Sequence, residues 1–173
     1  MNDEKLGFED DLMLGVPAGG GRAVLQAISS HLAQRTRVPA SVILDGLLER
    51  EALGSTGFGE GFALPHAFIP GLITPAKVLV TLREPIEFNA PDDEPVDIFL
   101  AVIWPYGQHE GFLQYLSKLC RVFRSKKLLA ALRGVRSETE ALIVLSAAVC
   151  TTAPSAQSSV TASYGPLLRS SMP

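Results

Sequence analysis

Arg50, Ser55, Thr56 and His66 fall within one stretch, 47–72 (LLEREALGSTGFGEGFALPHAFIPGL), and are the side chains of this sequence best suited to shared chemistry. Gly54, Gly57, Gly59 and Gly61 are spaced through the same stretch. Glycine at this density lets the backbone adopt positive φ and approach a ligand or partner closely. Pro65 holds Leu64 extended and denies the next segment a helical start. His66 is therefore expected on a stiff, extended spur beside an amide-rich loop.

Four chemistries can be weighed against that arrangement. A nucleotide-binding glycine loop needs a strand before it and a helix directly after it. Here a helix is expected before the loop, and Pro65 blocks one after. A metal site needs further ligands, and the remaining histidines, His31 and His109, form no His-x-x-His or Cys cluster. A hydrolytic triad would pair His66 with Ser55, but the sequence has no G-x-S-x-G elbow. The fourth reading is covalent. Neutral imidazole has a free nitrogen lone pair, and its attack on phosphorus gives a phosphohistidine. Phosphoryl transfer asks mainly for positioning and electrostatics. The amides of Gly57, Gly59 and Gly61, the Ser55 and Thr56 hydroxyls and Arg50 are groups of that kind.

The elements that must position these groups can be read in order. Residues 1–10 form a lead-in, 11–150 a single domain, and 151–173 a Ser/Thr/Ala/Pro-rich tail with too little apolar content to order. A first strand is expected over 11–16 and an amphipathic helix over 22–35, with Val24, Leu25, Ile28 and Leu32 on its buried face. Pro39 opens a second helix that Leu53-Gly54 ends, which places Arg50 in its final turn. Residues 77–82 read as a strand, with an irregular continuation over 85–89. Residues 91–95 (PDDEP) make an acidic turn. The near-continuous apolar run 96–104 predicts a central strand covered on both faces. A loop carries His109, and helices follow over 113–123, 125–132 and after the S-E-T-E capping-box pattern at Ser137–Glu140. Strands alternating with helices predict an α/β layered domain.

Bulk properties narrow the class further. A net charge of −3 offers no electrostatic case for nucleic acid. Cys120 and Cys150 match neither a metal-ligand spacing nor a redox pair. The N-terminal residues are acidic without an apolar core, and no apolar run approaches the roughly 18 residues of a membrane span. The expectation is a cytoplasmic protein with no membrane insertion. Phe58, Phe62, Phe68, Trp104 and Phe112 are candidates for an apolar partner-docking patch.

The stretch 47–72 resembles the signature of the type-2 (mannitol/fructose-like) EIIA domains of the bacterial phosphoenolpyruvate-dependent phosphotransferase system, nearest to the nitrogen-regulatory branch. IEFNAPDDEPVDIFLAV and FLQYLSKLCRVF also fall where that family has equivalents. The resemblance implies a mixed central sheet flanked by helices and a phosphocarrier in which His66 takes phosphoryl from an HPr-like donor. It makes Arg50 the family arginine, implies no metal or organic cofactor, and points to regulatory target proteins or a separate transporter subunit as further partners. The chain departs from the family pattern at Glu60, where asparagine is common, and at Phe68, where lysine or arginine is common. It departs again at Phe112, which takes the place of a second histidine; His109, one helical turn earlier, is a possible auxiliary. A regulatory interaction domain of the same fold, phosphorylated poorly or not at all, is the alternative function.

Overall fold

The apolar run at 96–104 becomes β6 (Val96–Pro105), the centre of a six-stranded mixed sheet. The computed structural model describes residue 8 and residues 11–151; apart from Thr151, which is helical, the expected tail at 151–173 lies outside them, as does most of the lead-in. Ile98, Leu100, Val102 and Trp104 face one core, and Phe99, Ala101 and Ile103 face the other. This is the two-residue period of a strand buried on both sides. Along one edge β6 pairs antiparallel with β5 (Ala76–Ile86), which carries β1 (Leu12–Val16) in parallel. Along the other edge it pairs in parallel with two short strands in succession, β3 (Phe62–Ala63) and β4 (His66–Ile69). β2 (Gly57–Gly59) lies antiparallel outside β3.

The break between β3 and β4 has a chemical cause. Pro65 has no N–H to give the ladder, although its carbonyl still accepts from the Val102 N–H at 2.9 Å. The Leu64 N–H turns back to the Thr56 carbonyl, also at 2.9 Å. The glycine loop is thereby tied to the segment just before His66.

Helices cover both faces of the sheet. α1 (Gly21–Thr36) and α2 (Ala40–Ala52) pack on one core, and α3 (Phe112–Phe123), α4 (Lys126–Gly134) and α5 (Glu138–Thr151) on the other. The four apolar residues predicted to face inward on α1 are fully buried. Pro39 caps α2 from the position just before its first turn. α2 lies close on β4 because residue 46 is glycine. A Cβ there would come within 2.7 Å of the Ile69 Cδ1 atom and 3.5 Å of the Ala67 Cβ. Arg50, one turn further along α2, occupies the same side of the helix.

Three boundaries differ from expectation. β5 runs on through Pro85 to Ile86, with a register break between Thr81 and Ile86 standing in for the irregular segment. Only half of the predicted capping box forms. Ser137 Oγ accepts from the Glu140 N–H at 3.2 Å, while the Glu140 carboxylate accepts from Arg136 N–H, not from Ser137. Phe8, assigned to the lead-in, is buried edge-on against Phe123 with the Lys77 ammonium 5.0 Å from its ring centre.

Candidate active site

His66 opens β4, and the alternation of that strand turns Ala67 and Ile69 into the core under α1 and α2 while His66 and Phe68 are half-buried on the opposite side. Both ring nitrogens of His66 are engaged. Nδ1 lies 2.8 Å from the Leu64 carbonyl oxygen, an acceptor, so Nδ1 carries the proton and donates. Nε2 therefore holds the lone pair, and Arg50 Nε donates to it at 3.0 Å. Arg50 Nη1 also donates to the Gly54 carbonyl at 2.9 Å, so the guanidinium is held at two points. Burial lowers the His66 pKa below its ordinary value; the Leu64 carbonyl opposes this, the Arg50 charge adds to it, and Glu51 opposes it again. The imidazole is thus kept neutral, with its lone pair on Nε2.

The glycine loop is a bolted structure whose polar groups are largely spent on itself. The Thr56 N–H donates to both Glu51 oxygens, at 3.0 and 3.1 Å, and its hydroxyl donates to Glu51 Oε2 at 2.5 Å. Ser55 Oγ donates to the Phe88 carbonyl at 2.8 Å and accepts from the Gly57 N–H at 3.0 Å. Gly57 sits so close to Ala90 that a Cβ would come within 2.8 Å of the Ala90 Cα. These bonds fix where α2 ends, and so where Arg50 stands.

The structure brings Arg50 into direct contact with both His66 and the Gly54 carbonyl and places Ser55 and Thr56 in the adjoining loop. Gly59 and Gly61 stand elsewhere. A Cβ on Gly59 would meet Asp92, one on Gly61 would meet Arg133 and Asp97, and the Gly61 carbonyl accepts from the Asp97 and Ile98 N–H groups. Phe62 pairs with Ile98 and His66 with Val102, four residues along β6, which at about 3.3 Å per residue is on the order of 13 Å. Glu60 belongs to that distant end as well. Its carboxylate pairs with Lys126 at 2.6 Å and its N–H donates to Asp92 Oδ2 at 2.7 Å.

The expected docking aromatics divide in the same way. Phe112 stands against His66 with ring centres 5.9 Å apart, and Phe68 and Trp104 pack on Phe112 at 4.6 and 5.5 Å. His109 packs edge-on against Phe68 at 4.7 Å, one ring further out. As a free docking surface the set needs correction. Trp104 and Phe112 are each only 6% exposed and Phe62 is 0% exposed, because β6, α3 and β3 direct them into the core covered by α3, α4 and α5. Phe62 stacks on Phe123 at 5.0 Å, and Phe58 leans on Phe62 away from His66. Sequence reasoning also missed Glu51, the Leu64 carbonyl and Gly46. Only the second left a signal: proline between Leu64 and His66 holds a carbonyl two residues back in reach of the ring.

The family model described as "Phosphoenolpyruvate-dependent sugar phosphotransferase system, EIIA 2" matches residues 13–148. The "Nitrogen regulatory protein" of Escherichia coli (strain K12) is 33% identical over 120 residues, covering 69% of this chain and 74% of that protein. Its namesake in Pseudomonas aeruginosa is 34% identical over 108 residues, covering 62% and 70%. Among solved structures, the nitrogen regulatory protein IIA-Ntr of Neisseria meningitidis superposes with a TM-score of 0.74 at 29% identity, covering 79% of this chain and 93% of that one. IIA mannitol of Escherichia coli shares the fold, with a TM-score of 0.69 at 21% identity, covering 82% and 99%. The matched span holds Arg50, the loop and His66 together, and the chain belongs to the EIIA type-2 family of the phosphoenolpyruvate-dependent sugar phosphotransferase system.

Proposed function

We propose that the protein is a phosphocarrier of the nitrogen-regulatory EIIA type that accepts a phosphoryl group on His66 Nε2 from an HPr-like donor. The observation that carries this reading is the pair of bonds fixing the ring: Nδ1–H on the Leu64 carbonyl and Nε2 facing Arg50. In the transfer, the Nε2 lone pair forms the new N–P bond while the P–N bond to the donor imidazole breaks. The donor ring keeps that electron pair. The proton on Nδ1 stays in place, and the Leu64 carbonyl stabilises the positive charge the ring acquires. Arg50 must release Nε2 before attack, and its guanidinium then remains beside the incoming dianion as the neighbouring permanent cation. Ser55 and Thr56 act by holding the loop, and Gly57 by its close seat on Ala90.

A cytoplasmic setting suits such a carrier, and no helix among the described residues is long and apolar enough to cross a membrane. The alternative of a regulatory domain that binds partners without phosphorylation draws support from Phe112, an apolar ring where a second histidine would face His66. Incubation with phosphoenolpyruvate, the first enzyme of the system and HPr, followed by intact mass, separates the two. One phosphoryl adduct, absent in His66→Ala, supports the carrier; an unmodified chain supports the regulatory domain.

A further inference from the structure

At the opposite end of β5 and β6 from His66, a cavity of about 350 Å³ opens between β1, β5, β6 and the junction of α4 with α5. Its volume falls in the range of small-molecule sites. Arg83, Arg133 and Arg136 come to it from three separate elements, over an apolar floor that includes Leu14, Leu82, Ile98 and Leu132. Asp97 is the one carboxylate in the lining among the described residues, and it is already matched. Arg133 Nε and Nη2 both donate to it at 2.7 Å. Arg83 Nε donates to the Gly15 carbonyl, and neither Arg83 nor Arg136 forms an ion pair with a carboxylate among the described residues. Among the described residues neither guanidinium is therefore tied up in an ion pair, and the Glu140 carboxylate near Arg136 is held by the Arg136 backbone N–H at 2.8 Å.

The sheet is irregular at this point. β1 loses register with β5 between Met13 and Val16, where Gly15 takes a φ of +61°, and β5 loses register with β6 between Thr81 and Ile86. Both breaks border the cavity. Bulges of this kind bend a strand and re-aim its side chains, and they concentrate beside binding sites. Here they turn Arg83 back across Gly15. The Thr81 hydroxyl, part of the lining, accepts from the Gly15 N–H at 3.0 Å.

We infer that this cavity is a second binding site, for a small oxyanion (a phosphate ester or a carboxylate) carrying an apolar body. Arg83 and Arg136 grip the anionic head from β5 and the α4–α5 junction, and the aliphatic floor covers the rest. The site stands apart from His66 and does not depend on phosphotransfer.

The test is an amide NMR titration of the full chain with phenyl phosphate, with benzoate, and with benzyl alcohol as the uncharged control. Either anion is expected to shift Gly15, Thr81, Leu82 and Ile98 saturably, with a Kd on the order of 1 mM or below. Benzyl alcohol should not, and the tighter anion names the head group. Arg83→Ala and Arg136→Gln should each weaken binding about tenfold or more. Arg136→Gln is the safer of the two for the fold, because the Arg83 side chain also bonds the Gly15 carbonyl. The absence of saturable shifts with both anions would overturn the inference. So would shifts unchanged in both variants, or shifts centred on Arg50 and His66.

Discussion

Replacing Arg50 with alanine has two opposed consequences, and their sizes decide the outcome. In the ground state Arg50 Nε occupies the Nε2 lone pair at 3.0 Å, so removing it frees the nucleophile. A hydrogen bond from a charged donor to a neutral acceptor is worth about 1.5 kcal/mol, and its loss alone would speed attack roughly tenfold. In the transition state of the proposed transfer the same guanidinium would face a phosphoryl group carrying negative charge. Losing such a donor costs about 2.7–4 kcal/mol. The difference, about 1–2.5 kcal/mol, predicts transfer slowed by roughly 10- to 10²-fold in Arg50→Ala. Arg50→Lys should fall between the two, since an ammonium keeps the charge but cannot span His66 and the Gly54 carbonyl together. The assay is the initial rate of phosphoryl transfer from phosphorylated HPr, with the His66 ring followed by NMR. Arg50→Ala should also raise the His66 pKa, because the neighbouring charge that lowers it is gone. A variant as fast as the parent would refute the role given to Arg50.

Phe112→His and Phe68→Lys, which restore polar groups beside His66, should raise the transfer rate or the phosphorylated fraction; a phosphotransfer assay unmoved by both changes, alone and combined, would show these departures to be neutral. Gly46→Ala places a methyl against the fully buried Ile69 and should cost about 1–3 kcal/mol by overpacking, read by urea unfolding, with transfer slowed as α2 shifts Arg50. Thr56→Val strips a hydroxyl from Glu51 and should cost about 1–2 kcal/mol on the same scale. The pH dependence follows from the lowered His66 pKa: the ring stays neutral below 6.5, so the transfer rate should hold to a lower pH than free imidazole would permit. Stability moves with the same group. It has its full value above 6.5, where the ring is neutral folded or unfolded, and is lost as pH falls towards the folded pKa.

Much of this architecture was legible because its causes are local. The run at 96–104 announces a strand buried on both faces, and Pro65 announces the break that leaves His66 at the start of a strand. The end of α2 at Leu53-Gly54 placed Arg50 correctly in its last turn. What escaped depends on long-range pairing. The glycines 54–61 look like one cradle in sequence, yet the β2–β3 hairpin carries Gly59 and Gly61 towards Asp92, Asp97 and Arg133. The aromatic residues look exposed in a loop-rich stretch, yet sheet alternation sends Phe62 and Trp104 inward. Phe8 showed no pattern at all, since a single aromatic residue outside a periodic segment carries none. The Glu51–Thr56 lock joins a helix to a loop across a turn, and neither residue type alone foretells it.

The proposed phosphoryl acceptor is His66 Nε2, and the most direct measurement is NMR of ring-nitrogen-labelled protein after incubation with phosphoenolpyruvate, the first enzyme of the system and HPr. The prediction is a single phosphoryl group on Nε2 of His66, with Nδ1 still protonated against the Leu64 carbonyl and no signal change at His31 or His109. Phosphorylation at Nδ1, at another histidine, or nowhere would contradict it.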